Sequence, residues 1–276
     1  MHDHGLAIST EVLLLLLLPA GQLLPLITSH TGLQASSHGS CRLAGRQIIW
    51  SRLTPRTYAY SSHVCITFTL LHEPTFREDY ERLWRPASKE PEPLRLCLAH
   101  AVFALGALFS DRLPAEESES LAETCFVQAK ELCELDNLDE GSLTMIQALL
   151  LMGHYLHVKR VSRCWHIFGL AIRMAQGQGL PLSDINNKCG VVERETRKRC
   201  WCGCLVMDTM LAVTFGRPTM IPPEFYDSVD LPEPVHDGQI TTTGISPRTE
   251  QGDSSRPPTS CSLSNELSCA LSSTAL

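Results

Sequence analysis

Three alternating cysteines are the residues of this sequence whose type and spacing most directly suggest chemistry. Cys200, Cys202 and Cys204 carry thiols, and thiolates at short spacing are common ligands of zinc. The flanking sequence is helical, so Cys200 and Cys204 share one face of the helix whereas Cys202 points elsewhere. Ligation of one ion by all three is therefore not expected on a helix, and we expect these cysteines to be structural.

Two histidines form a second candidate group. His154 and His157 lie three residues apart in an apolar stretch with helical periodicity, so both could bind one metal ion. No acidic residue or cysteine nearby offers an obvious third ligand, and the H-E-x-x-H arrangement of zinc proteases is absent. We expect a structural histidine pair, and no metal or other cofactor bound by this chain.

Motifs for catalysis and nucleotide binding are missing from the sequence. It contains no nucleophile elbow (G-x-S-x-G), no phosphate loop (G-x-x-x-x-G-K-S/T) and no dinucleotide fingerprint (G-x-G-x-x-G). Gly177-Gln178-Gly179 is typical of the end of a helix rather than of a cofactor loop. We therefore expect that the protein is not an enzyme.

Composition narrows the possible partners and the compartment. The 276 residues carry a formal net charge of −7, which provides no general field for holding DNA phosphates, and the densest basic stretch, residues 194–199, is interleaved with glutamate. The 12 cysteines include no C-x-x-C pair. Most of the central ones lie in apolar helical stretches, where a free cysteine acts as a small apolar group. We therefore expect free thiols in a reducing nuclear or cytosolic compartment rather than a framework of disulfides.

The N-terminal residues 1–60 show no clear periodicity and are predicted to be a poorly ordered leader. An apolar run over residues 12–18 ends at Pro19, and no Lys or Arg precedes Arg42. A secretory signal needs a positively charged start, and a membrane span needs about 20 apolar residues. Neither matches this run, so we expect no membrane association.

The elements that must position these groups are helices. Apolar residues recur at helical spacing through the middle of the chain, most clearly at positions 161, 165, 168, 172 and 175. The predicted helices cover residues 75–84, 94–109, 115–135, 142–158, 161–178 and 191–215. Short links between them imply antiparallel neighbours. We predict an all-α domain over residues 64–236, an irregular multi-helix bundle of antiparallel helix pairs, followed by a disordered Ser/Thr/Pro-rich tail over 237–276.

Three segments of this helical region carry motifs in a fixed order. The first is His72-Glu73-Pro74-Thr75-Phe76, the second has Trp165 followed by Gly169-Leu170-Ala171-Ile172-Arg173-Met174-Ala175 and then Gly179-Leu180, and the third has Arg199-Cys200-Trp201, Asp208 and Gly216-Arg217-Pro218. Together they resemble the middle homology region of fungal zinc binuclear cluster transcription factors, which is a helical regulatory domain. The resemblance covers about 150 residues.

The resemblance marks twelve residues, which we expect to be structural: His72, Pro74, Phe76, Trp165, Gly169, Arg173, Arg199, Trp201, Asp208, Gly216, Arg217 and Pro218. Trp165 and Trp201 are large enough to form a helix–helix core, and Gly169 allows a neighbouring backbone to come close. A carboxylate inside the bundle needs a partner, so we expect Asp208 to pair with one of the arginines at 173, 199 and 217.

The sequence also departs from the family pattern. Cys202 stands where the family has a second Trp, Thr209 where it often has a basic residue, and Pro181 where a His follows Gly-Leu. The six-cysteine zinc cluster of the family has no counterpart before His72. Zinc binding and DNA binding, which the resemblance implies for the family, would therefore belong to a missing module. The chain is expected to be a fragment, a truncated gene or a mis-spliced gene model.

The resemblance implies a regulatory function in transcription, located in the nucleus. It further implies partners among the proteins of the transcription machinery or a homodimer, and a possible small-molecule effector. The alternative from another class is a helical protein-interaction module, or a truncated remnant, with no transcriptional activity.

Overall fold

The structure is a computed structural model that describes residues 70–83, 93–108, 114–133, 141–159, 161–226, 228–233 and 235–246. Seven α-helices lie within these ranges: α1 Glu73–Leu83, α2 Pro93–Leu108, α3 Ala115–Leu132, α4 Leu143–Lys159, α5 Val161–Gly177, α6 Ser183–Asn186 and α7 Val191–Phe215. After them come two 3-10 helices, Pro223–Phe225 and Asp237–Gln239, and two short strands, β1 Ile240–Thr241 and β2 Gly244–Ile245.

The fold class confirms the prediction of an all-α bundle. The six helices expected from periodicity are present and begin and end within about three residues of the predicted positions. The short helix α6 was not predicted, since four residues are too few to show a period. None of the helices within the described ranges is long and apolar enough to cross a membrane.

The core is built around helices that are apolar on nearly every side. In α2 the ten residues 97–99 and 101–107 are buried, and in α4 the twelve residues 145–156 are buried. Helix α2 packs mainly on α3 and α4, whereas α5 packs mainly on α4 and also contacts α7. Helices surrounded in this way need no polar face, which explains why their sequences show little amphipathic pattern.

Two glycines end the helices of the second and third motifs. Gly179 has a φ of +67°, and the next amide, Leu180, donates to the carbonyl of Ala175 at 3.0 Å. Gly216 has a φ of +60°, and Arg217 donates in the same way to the carbonyl of Ala212 at 3.0 Å. Both positions are left-handed, which glycine adopts without a steric cost, and the bonds close the last helical turns.

The segment after α7 returns across the bundle, and it differs from the sequence prediction. Residues 237–246, assigned above to a disordered tail, form a 3-10 helix and a two-stranded antiparallel hairpin that pairs Ile240 with Ile245. Ile240 is buried, and β1 contacts α7. The rest of the predicted tail and the predicted leader 1–60 lie outside the described residues.

Candidate functional site

A buried ion cluster joins both ends of the described region to α7. Arg199 is fully buried; its Nε lies 3.0 Å from Glu195 Oε1, and its Nη1 lies 2.7 Å from Asp237 Oδ1. The same Nη1 donates to the carbonyl of Leu71 at 3.3 Å. Burial opposes the charge on Arg199, but Asp237 and Glu195 outweigh it and hold the pKa of the guanidinium above its ordinary value.

The first family motif holds the same aspartate from the other side. The backbone N–H of Glu73, at the start of α1, donates to Asp237 Oδ2 at 2.7 Å. His72 Nε2 lies 3.0 Å from the backbone carbonyl of Asp237, and its Nδ1 lies 2.8 Å from the hydroxyl of Thr75. A carbonyl can only accept, so Nε2 donates to Asp237, while the hydroxyl of Thr75 holds Nδ1 on the other side of the ring. We call His72, Glu195, Arg199 and Asp237 the Asp237 cluster.

The expected pairing of Asp208 with an arginine is wrong. Asp208 is buried, but its carboxylate accepts the backbone N–H groups of Met220, at 2.8 and 3.1 Å, and of Ile221, at 2.8 Å. Burial raises the pKa of this carboxyl, and the two N–H donors offset part of that rise. The carboxylate faces the returning chain, where backbone donors need partners, and it therefore needs no cation.

The three candidate arginines have other positions. Arg173 is exposed, Arg199 belongs to the Asp237 cluster, and Arg217 lies with its guanidinium carbon 4.8 Å from the ring centre of Trp165. Arg217 also lies 5.3 Å from the ring of Phe215, which meets Trp165 edge-on. The Gly-Arg-Pro motif thus closes α7 with Gly216 and covers Trp165 with a cation.

The remaining motif residues are placed as follows. Phe76 and Trp201 are buried, and Pro74 and Pro218 are exposed. Trp165 is half-buried on the side of α5 that faces α7. Pro74 is the second residue of α1, where its missing N–H leaves no helical bond unmade. A Cβ at Gly169 would meet Met220 Sδ at 3.3 Å, so the group that approaches this glycine is a side chain, not the neighbouring backbone expected from the sequence.

The basic stretch 194–199 is directed largely into the molecule. Arg197 is buried; its Nε donates to Asn186 Oδ1 at 2.7 Å and its Nη2 to the carbonyl of Gln178 at 2.7 Å. Lys198 is mostly buried and lies 3.6 Å from the exposed carboxylate of Asp230. Arg197 thus connects the ends of α5 and α6, and Lys198 lies beside a carboxylate, so these two cations are not free to bind a phosphate backbone.

The cysteine run does not fit a zinc cluster. Cys200, Cys202 and Cys204 are buried in α7, and burial raises the pKa of Cys200 to about 12 and that of Cys204 well above its ordinary value. On this helix Cys202 faces away from Cys200 and Cys204, so the three thiols do not converge on one ion. His154 is buried edge-on against Phe168. Across the ranges that the structure describes, no three His, Cys, Asp or Glu residues are grouped to hold a metal.

A cavity of about 370 Å³ lies beside the Asp237 cluster, between α1, α2, α4 and α7. Most of its lining is apolar and includes Phe76, Tyr80, Leu98 and Val192. The polar groups in its lining are largely occupied: Asp79 forms an ion pair with Arg95, Gln147 donates to the carbonyl of Leu70, and Thr196 donates to the carbonyl of Val192. His72 and Thr75 lie at the same cavity, so the first family motif lines it.

Several functional groups here were not recognised from the sequence. Glu195 lies four residues before Arg199, and that spacing is a local signal for a helical ion pair. Asp237 follows Arg199 by 38 residues in a Pro-rich stretch, and nothing local marks it as a partner. The cavity depends on four helices meeting, which no single segment reveals.

Comparison with known proteins identifies the class of protein that this helical core defines. The model of the fungal-specific transcription factor domain matches residues 57–273. The chain therefore belongs to this family. No solved structure shows a significant match to it.

Curated relatives agree with this membership. An uncharacterised transcriptional regulatory protein of Schizosaccharomyces pombe is 31% identical over 192 residues, covering 66% of this chain and 23% of that protein. Activator of stress genes 1 of Saccharomyces cerevisiae is 28% identical over 202 residues, covering 68% of this chain and 20% of that protein. Sorbicillinoid biosynthetic cluster transcription factor 2 of Penicillium rubens is 26% identical, covering 66% and 28%. The chain thus spans about a quarter of the length of these relatives, and together they support a function in transcriptional regulation.

Proposed function

We propose that this chain is the regulatory domain of a nuclear transcriptional regulator, and that its cavity binds a largely apolar small-molecule effector. The cavity carries the proposal, because about 370 Å³ of space with a mostly apolar surface, in which most of the polar side chains already have hydrogen-bond or ion-pair partners, is typical of small-molecule sites. The family membership and the names of the relatives support the transcriptional part.

The Asp237 cluster can couple binding of the effector to the position of the segment after α7. The cavity is lined by α1 and α7, and Asp237 bonds to both helices, through Glu73 and Arg199. An effector that binds better when α1 and α7 are further apart shifts the population toward weaker bonds at Asp237. The segment 235–246 would then be released, and proteins of the transcription machinery or a second copy of the chain would meet a changed surface.

The DNA-binding and zinc-binding activities of the family are proposed to lie outside this domain. Contact with DNA belongs to the six-cysteine zinc cluster of the family, for which this sequence has no motif. The domain itself is proposed to hold no metal and to have no catalytic role, in keeping with relatives that are named as an activator of stress genes and as a transcription factor.

Binding of an apolar probe tests the cavity. The neutral fluorophore N-phenyl-1-naphthylamine is expected to bind the purified chain saturably. Thr144 lines the cavity, so the larger ring of Thr144→Phe should occupy part of its space and weaken binding at least tenfold. Thr124→Phe is the matched control, because Thr124 lies on α3 away from the cavity and bonds only to its own helix. Equal affinity in the two variants would argue against the cavity as the site.

A reporter assay tests the regulatory role. The chain fused to a foreign DNA-binding domain should enrich in the nucleus and change reporter output, and Thr144→Phe should change the size of that effect while Thr124→Phe does not. An unchanged reporter without nuclear enrichment would instead support the alternative, a helical protein-interaction module without transcriptional activity.

A further inference from the structure

The cavity between α1, α2, α4 and α7 is lined by a buried amide whose hydrogen-bonding capacity is only partly used. Gln147 lies on α4, lines the cavity and is 8% exposed. Its Nε2 donates to the carbonyl of Leu70 at 2.8 Å, and since a carbonyl only accepts, this bond identifies the other amide atom as the oxygen Oε1. Among the described residues, no hydrogen bond occupies Oε1. The lining thus contains a buried acceptor without a donor.

The other buried His and Thr side chains of the lining are already occupied. The two ring nitrogens of His72 contact the hydroxyl of Thr75 and the backbone carbonyl of Asp237. The hydroxyl of Thr196 donates to the carbonyl of Val192 at 2.8 Å. A buried acceptor that lacks a donor costs free energy, so a ligand gains most from a polar contact at the free amide oxygen.

A second free group lies beside this oxygen on the same helix. Thr144 precedes Gln147 by three residues and lines the same cavity, and its hydroxyl has no hydrogen bond within the described part of the chain. Residues three apart on a helix are neighbours, with Cβ atoms about 5–6 Å apart. Two hydrogen bonds of about 2.7–2.8 Å that share one oxygen span a similar distance. One hydroxyl group of a ligand can therefore donate to Gln147 Oε1 and accept from Thr144.

The charged groups of the lining argue against an ionic group at this position. Arg95 is paired with Asp79, and Glu193 is exposed to solvent. A carboxylate would place its oxygens against the acceptor of Gln147, and an ammonium group would exchange its hydration for a neutral oxygen. A neutral hydroxyl has neither disadvantage, because it both donates and accepts.

We infer that the effector is a neutral, largely apolar alcohol or phenol, whose hydroxyl bonds to Gln147 Oε1 and to the hydroxyl of Thr144. This inference rests on the proposed function, since it names the class of molecule that the cavity takes. The apolar body of the ligand packs on Phe76, Tyr80 and Leu98. A ligand without the hydroxyl leaves the amide oxygen unpaired, and the site therefore discriminates against it.

Two probes that differ in a single substituent test the inference on the whole chain. 2-Naphthol carries a hydroxyl, whereas 2-fluoronaphthalene has the same ring system and no donor. Displacement of N-phenyl-1-naphthylamine gives the dissociation constant of each probe. The chain should bind 2-naphthol roughly three- to tenfold more tightly than 2-fluoronaphthalene, which is the range expected from the net contribution of a neutral hydrogen bond.

Three variants assign this preference to the two free groups. Gln147→Met keeps the length of the side chain without the acceptor, and Thr144→Val keeps the shape without the hydroxyl, so each should abolish the preference for 2-naphthol. Thr196→Val is the matched control, because it makes the same change in the same cavity at a hydroxyl whose hydrogen is already used. The preference is a ratio of two dissociation constants in one variant, so a loss of stability through the bond to Leu70 does not imitate the effect.

The outcomes separate this inference from the proposed function. If neither probe nor the fluorophore binds, the cavity is not a ligand site, and both proposals are wrong. If both probes bind and 2-fluoronaphthalene binds as tightly as 2-naphthol or more tightly, the cavity remains the site and only the assignment of a hydroxyl is wrong. A preference that persists in both Gln147→Met and Thr144→Val would also overturn that assignment.

Discussion

Asp237 and Asp208 have the same role at two places, because each holds the returning segment 218–246 onto α7. They do so with different partners: Asp237 accepts from the Arg199 guanidinium and a helix N-terminus, whereas Asp208 accepts only backbone N–H groups. The sequence correctly marks Asp208 and Arg199 as inward polar groups, because their neighbours are apolar. It does not indicate that the two residues bond to different parts of the returning chain rather than to each other.

The Asp237 cluster predicts that loss of the Asp237 charge lowers the free energy of unfolding substantially. Asp237→Asn removes the charge that faces Arg199 and leaves Glu195 as its remaining carboxylate partner. Because a hydrogen bond between charged groups contributes more than a neutral one, the free energy of unfolding should fall by about 2 kcal/mol. Urea denaturation followed by circular dichroism measures this change.

The matched control for that substitution is Asp230→Asn. Asp230 is exposed and lies 3.6 Å from Lys198, so the free energy of unfolding should remain nearly the same. Equal effects of the two substitutions would mean that the buried cluster contributes no more to stability than a surface pair.

At the scale of the elements, the sequence predicted the long helices well because each repeats its apolar residues over four or more turns. The stripe of α5, for example, places Phe168, Ile172 and Ala175 in the core. The hairpin β1–β2 has only two residues in each strand, so alternation cannot appear in its sequence. Its position follows from tertiary contact with α7, which local sequence does not contain.

The pairing of α4 with α5 predicts that one glycine is essential to packing. A Cβ at Gly153 in α4 would lie 2.7 Å from the ring of Phe168 in α5, and ring atoms cannot move far in a filled core. Gly153→Ala should therefore lower the free energy of unfolding by roughly 1–3 kcal/mol, despite the higher helix propensity of alanine. Thermal unfolding measured by circular dichroism checks the direction.

Gly177→Ala provides the comparison within the same helix pair. A Cβ at Gly177 in the last position of α5 meets no atom within 4 Å, so only the gain in helix propensity remains. Its melting temperature should be unchanged or slightly higher than that of the natural sequence. A stable Gly153→Ala variant would show that α4 and α5 can separate without cost.

At the scale of the whole molecule, the residues just before α1 contact the segment that follows α7. His72 and Asp237 are separated by 165 residues, yet they lie 3.0 Å apart through Nε2 and the backbone carbonyl. The sequence boundary between the domain and its tail was placed at residues 236 and 237, because Pro, Gly and Ser increase there. Composition thus placed Asp237 just outside the domain, although contacts place it inside.

Two shortened chains test that boundary. A chain ending at residue 246 keeps the Asp237 cluster and the hairpin, whereas one ending at residue 236 leaves Arg199 without Asp237 and removes Ile240 from the core. The shorter chain should unfold at a lower urea concentration and bind more of an apolar dye such as 8-anilinonaphthalene-1-sulfonate. Identical urea midpoints for the two chains would place the boundary where composition suggested.

The separation between His72 and Asp237 also has a consequence for synthesis on the ribosome. Helices α1 to α5 make their main contacts with near neighbours in sequence and can assemble as they emerge. The buried guanidinium of Arg199 and the first turn of α1 must wait for Asp237, which is made long after both. During that interval Arg199 has Glu195 as its remaining carboxylate partner and Ile240 does not yet pack on α7, so we expect chaperones to meet this domain at its last stage of translation rather than its first.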